Sequence, residues 1–148
     1  MRSQQVLPCC LVVTIAFLPI TIAGCNATSP DDAKAYLRAT IAKSESIELT
    51  FEGPPAVLRI EDPDRIQAIA SAIPEVTRVG RGDLRPAAEV VRLKCRTADG
   101  EITNLECYDS GVFVLNDQAD PLIIFLASNA LKKALQASRD IADRKERQ

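Results

Sequence analysis

The sequence predicts an α+β domain, an antiparallel sheet of four to six strands with helices packed on one face, after an N-terminal signal segment. Three observations point that way. Short runs rich in β-branched residues, several of them alternating, recur between residues 46 and 126 and are separated by Gly, Pro, Asn and Asp turns. Two segments begin with a capping residue followed by proline and then place apolar residues at helical spacing. A third apolar stripe with the same spacing lies near the C-terminus.

The first helix is read from Ser29-Pro30-Asp31-Asp32, where a cap, a first-turn proline and two first-turn acids come together, and it should run to about Lys43. Its stripe of Ala33, Tyr36, Leu37 and Ile41 is narrow, which predicts a helix at the edge of the domain. Ile47, Leu49 and Phe51 alternate with Glu48, Thr50 and Glu52, and after Gly53-Pro54-Pro55 a second run covers Ala56 to Ile60, giving a hairpin. Asp62 then caps a helix led by Pro63, with Ile66, Ile69, Ala70 and Ile73 on one face and Pro74 as its stop. Residues 75–88 are expected to be a loop. Strands follow at Glu89 to Thr97, Glu101 to Tyr108 and Val112 to Asn116, joined at Asp99-Gly100 and Asp109-Ser110-Gly111. Leu122 to Leu126 fits a strand or a helix by composition. The strand is favoured because Leu131, Ala134, Leu135, Ile141 and Ala142 form a separate helical stripe after Ser128. The expected domain therefore spans 30–142, with 143–148 as a charged tail that frays.

The N-terminus follows different rules. Residues 1–24 hold one charge, Arg2, and Val6 to Gly24 form nineteen consecutive uncharged, mostly apolar positions. An apolar heart from Leu11 to Ala23 suits a secretory signal, and Pro8 and Pro19 disfavour a regular spanning helix. The segment ends Ile22-Ala23-Gly24-Cys25. This resembles the lipobox of bacterial lipoproteins, an aliphatic residue and two small residues before an invariant cysteine, although leucine is more usual where Ile22 stands. The resemblance implies cleavage between Gly24 and Cys25, a diacylglyceryl thioether on Cys25, and an acylated new N-terminus. Two or three acyl chains hold a domain on a membrane stably, because each buried methylene contributes about 0.8 kcal/mol. Asn26 in place of aspartate after the lipidated cysteine implies, for a Gram-negative source, the outer membrane facing the periplasm. Residues 25–29 would be the lipidated N-terminus and a short linker.

Composition excludes much familiar chemistry. The chain has 148 residues, no histidine, no tryptophan and a net charge of −2. A Ser/His/Asp or Cys/His catalytic set and a Cys/His zinc site are therefore impossible, and a nucleic-acid partner is not expected. No cofactor, metal site or catalytic residue is assigned. Of five cysteines, Cys9 and Cys10 leave with the signal and Cys25 carries lipid, so Cys95 and Cys107 remain. An oxidising compartment invites a disulfide between them. Turn geometry leaves that open. A two-residue loop at Asp99-Gly100 puts the two on opposite faces. A three-residue loop, Ala98 to Gly100, pairs Cys95 with Thr103, roughly 13 Å from Cys107 along the ladder. Only a longer loop from Asp99 to Thr103 sets them opposite each other at bridging distance.

Three surface features could carry function. Glu61-Asp62-Pro63-Asp64 offers carboxylates for calcium, although helix capping accounts for them. Arg78, Arg81 and Arg85 could form an anion contact in the 75–88 loop. Tyr108 and Phe113 with loop arginines could line a ligand pocket. The expected function is a membrane-anchored lipoprotein whose domain is a non-catalytic periplasmic or surface interaction module with an unidentified protein partner. The alternatives are a small-ligand or anion-binding module and a carboxylate-based hydrolase.

Overall fold

The computed structural model describes residues 29–52, 57–82, 89–115 and 121–146. These form three helices and one seven-stranded antiparallel sheet, so the α+β class holds, with one strand more than the sequence predicted. Helix α1 (Pro30–Ala42) leads into β1 (Ser44–Thr50), and β2 (Val57–Ile60) is followed by α2 (Pro63–Ser71). Then come β3 (Val76–Arg81), β4 (Val91–Thr97), β5 (Ile102–Cys107), β6 (Gly111–Leu115), β7 (Leu122–Leu126) and α3 (Ala130–Glu146). The order across the sheet is β2-β1-β4-β5-β6-β7-β3. The crossover through α2 thus carries the chain from one edge of the sheet to the other.

Local signals explain the helix starts. Ser29 accepts a bond from the Asp32 amide at 3.1 Å, and Asp62 accepts one from Asp64 at 3.0 Å, each satisfying an amide that the first turn leaves without a partner. At α3 the Ala130 amide reaches Ser128 Oγ at 3.4 Å, while the Asn129 carbonyl takes the first helical bond. All three helices bury their stripes in one apolar cluster with Ile47, Leu49, Val91, Leu93, Leu105, Val112, Val114, Leu122, Ile124 and Leu126 of the sheet. At about 25 cal/mol per Å² of apolar surface, this single layer is the main source of the domain's stability.

Four expectations need correction. Helix α1 is packed more closely than its narrow stripe suggests: Ala33, Leu37 and Ile41, at i, i+4 and i+8, are fully buried, and the helix contacts α2 and β3. The 75–88 segment begins with strand β3, paired to β7. Helix α3 continues through Glu146, so the first four residues of the expected charged tail are helical. The stripe of α3 ends at Ser138, and Ile141 is exposed.

Candidate functional site

Alternation along the strands gives the sheet a second face, to which none of the three helices contributes a buried apolar residue. The register sets out its contents in rows. One row runs Val57, Thr50, Arg92, Glu106, Phe113, Ile123 and Gly80 across all seven strands. A neighbouring row runs Arg59, Glu48, Lys94, Asn104 and Leu115. Arg96 lies between Ser46 and Ile102, and Arg78 stands beside Phe125 at the far edge. The face is divided in two. Over β2, β1 and β4 it is mostly charged or polar; over β6 and β7 it is apolar, and β5 between them carries Asn104 and Glu106.

The apolar half holds Val90, Tyr108, Phe113 and Ile123, all buried, with Leu115 and Phe125 packed against them. Tyr108 meets Phe113 edge-on, with ring centroids 5.2 Å apart and planes at 66°, an arrangement that sets a positive ring edge against a negative ring face. Arg78 places its guanidinium 4.2 Å from the Phe125 ring centre, a cation–π contact. Tyr108 and Phe113 are both buried and pack against each other.

At the boundary between the halves sits Glu106, a buried carboxylate. Its Oε1 accepts from Arg92 Nε at 3.2 Å and its Oε2 from the Tyr108 hydroxyl at 3.1 Å, so both oxygens are engaged and the charge is compensated. Nearby, Lys132 of α3 is buried on the helix side, donating to the Glu89 carbonyl at 2.9 Å and pairing with Asp109 at 3.2 Å. These contacts hold polar groups inside a packed fold.

The sequence-predicted site residues fare differently. Arg78 and Arg81 lie on the same strand but on opposite faces, so they do not converge on one anion; Arg85 lies outside the described residues. Cys95 pairs with Thr103 and Cys107 with Val91. The two thiols are free and buried on one face, four residues apart along the ladder, or roughly 13 Å, so the disulfide expectation is corrected. The cause is the three-residue loop Ala98 to Gly100, closed by Gly100 N to the Thr97 carbonyl, with Gly100 at φ +88°. Burial pushes the Cys95 thiol up to about 11 and the Cys107 thiol up to about 12. Glu61 pairs with Arg59 at 2.6 Å and Asp62 is the cap of α2, so this acidic run is occupied by structural contacts. No group of three metal-ligating side chains occurs among the described residues. Gly24 and Cys25 lie outside the described residues, and no described helix is long and apolar enough to cross a membrane.

What sequence reasoning missed is the charged half of the outer face. The alternation Val91-Arg92-Leu93-Lys94-Cys95-Arg96 was its signal. No family model, curated protein or solved structure matches the chain.

Proposed function

We propose that this protein is a lipid-anchored bacterial lipoprotein whose folded domain acts as a non-catalytic interaction module at a membrane surface, on the periplasmic side of the outer membrane in a Gram-negative cell. The observation that carries this reading is Ile22-Ala23-Gly24-Cys25 at the end of nineteen uncharged residues, four positions before Ser29 caps the first helix. Such an arrangement leaves only a short tether, at most about 14 Å between Cys25 and Ser29 when extended. Tethering raises the local concentration of the domain for any partner at the same surface, and affinity gained this way needs no new contact. The remaining thiols support the assignment of Cys25 as the modified cysteine, because Cys95 and Cys107 are buried in the core.

Cys25→Ser tests the anchor. The native protein should enter the detergent phase on partitioning and take up radiolabelled palmitate, and the variant should lose both properties. A variant that stays with the membrane would mean that the apolar segment itself is the anchor, and the lipoprotein assignment would fall. Fractionation of inner and outer membranes tests the role given to Asn26.

A further inference from the structure

The geometry points to the outer face of β4 as a docking surface for an acidic protein segment. This deepens the interaction-module reading and rests on it. Strand β4 is third in the sheet, with β1 and β5 on its flanks, and it presents Arg92, Lys94 and Arg96 side by side away from the helices. Together with Arg59 and Arg78, five cations stand on the outer face of the strands against two carboxylates, Glu48 and Glu106. The whole chain carries a net charge of −2, so this face is opposite in sign to the molecule.

The cations differ in how far they are committed. Arg92 is shared with Glu106, Arg59 with Glu61, and Arg78 lies on Phe125. Lys94 and Arg96 make no ion pair among the described residues, and Glu48 across the ladder from Lys94 makes none either. Neither cation belongs to the main core, which lies on the opposite side of the strand.

Spacing indicates what kind of partner fits. Alternate residues of a strand are roughly 6.8 Å apart, so Arg92, Lys94 and Arg96 match acids at every second position of an extended chain. They also come close to the roughly 6 Å between i and i+4 acids along a helix. Ile102, exposed beside Arg96, and half-buried Leu115, beside Asn104, offer apolar contact along the same flank. A bilayer is the less favoured occupant. The chain enters the domain through α1 in the helix layer, so a short tether from Cys25 draws that layer toward the lipid and leaves the face of β4 turned away.

The test uses the full chain in neutral detergent and a short fluorescent peptide of alternating Glu and Thr, read by anisotropy. The expected result is salt-sensitive binding that weakens about tenfold in Lys94→Glu/Arg96→Glu. The same reversal on the helix layer, Arg38→Glu/Lys43→Glu, should leave it within about twofold, and a peptide of alternating Lys and Thr should not bind. Three results overturn the proposal: no binding of the acidic peptide, equal loss in both double variants, or binding to phosphatidylglycerol vesicles without binding to the peptide. The assay contains no bilayer, so an unlipidated Cys25 would leave it unchanged, whereas partitioning of the native protein would remain intact if this docking surface were wrong.

Discussion

Gly111 is the position where one added carbon should disturb the sheet most. It opens β6 opposite Phe125, and a Cβ built there would lie 2.7 Å from the Ile124 carbonyl oxygen and 3.6 Å from the Phe125 Cα. The obstructing atoms are backbone of a strand hydrogen-bonded on both sides, so they cannot rotate away as a side chain would. Relief requires β6 and β7 to separate next to the Val112–Ile124 and Phe113–Ile123 pairs, which lie in the two apolar clusters. Overpacking of this kind costs about 1–3 kcal/mol, and with a rigid obstacle the upper half of that range applies to Gly111→Ala. Two other glycines calibrate the argument. At Gly100 a Cβ meets nothing within 4 Å, but φ is +88°, so Gly100→Ala should cost about 1 kcal/mol from backbone strain alone. At Gly80 the nearest atom is Phe125 Cε2 at 3.5 Å, an ordinary contact, so Gly80→Ala should be neutral or stabilising by about 0.5 kcal/mol through the unfolded chain. Urea unfolding followed by circular dichroism measures all three, and a loss of 2 kcal/mol moves the midpoint by about 1 M when the slope is near 2 kcal/mol/M. If Gly111→Ala unfolds within about 0.5 kcal/mol of the native protein, or Gly80→Ala loses as much as Gly111→Ala, close approach is not what selects these glycines.

The buried thiols predict a pH effect of defined sign. Burial raises both above the ordinary 9.0, so the unfolded chain ionises first; stability holds below about pH 9 and declines as pH rises toward about 12. At about pH 8, iodoacetamide should label Cys95 and Cys107 only after unfolding, and rapid labelling of the folded chain would contradict their placement. Tyr108→Phe removes one of the hydrogen bonds to Glu106 and should destabilise by about 1–2 kcal/mol in urea, with no change expected if that bond is not made. Asp62→Ala should cost about 1 kcal/mol through the lost cap of α2, measurable in the same experiment.

How much of this structure was legible in the sequence depends on how regular each pattern is. Helices α1 and α2 announced their first turns through Ser29-Pro30 and Asp62-Pro63, and both caps form as the residue types require. Strand β3 was illegible because a bulge between Val76 and Arg78 changes the phase of the pleat, which sets Val76 and Val79 on the helix side although they are three residues apart. A search for alternation reads such a segment as a loop. The strand of Leu122 to Leu126 was ambiguous for the opposite reason. With Ile123 and Phe125 packing on the outer face and Leu122, Ile124 and Leu126 in the core, it is apolar on both sides and shows no period at all. The cysteine question was decided by the turn: the loop that closes at Gly100 fixes Cys95 against Thr103, whereas a loop from Asp99 to Thr103, centred on Glu101, would have set it against Cys107.

The candidate surface was legible only in part, and the missing part was topology. Alternation placed Arg92, Lys94 and Arg96 on one side of their strand, but an alternating strand reads the same at the edge of a sheet as in its interior. At an edge, such charges would serve to discourage strand pairing between molecules. The crossover through α2 moves β3 to the far side and leaves β4 between β1 and β5, where both of its edges are already paired and the charges guard nothing. The edge strands β2 and β3 carry their own cations, Arg59, Arg78 and Arg81. Arg92 is accounted for by buried Glu106, but Lys94 and Arg96 in the interior of the sheet are not accounted for by an ion pair or by protection against aggregation. Neutralising Lys94 and Arg96, which make no ion pair among the described residues, should leave the urea midpoint unchanged while it alters binding of an acidic segment, a separation that neither a structural nor a solubilising role would produce.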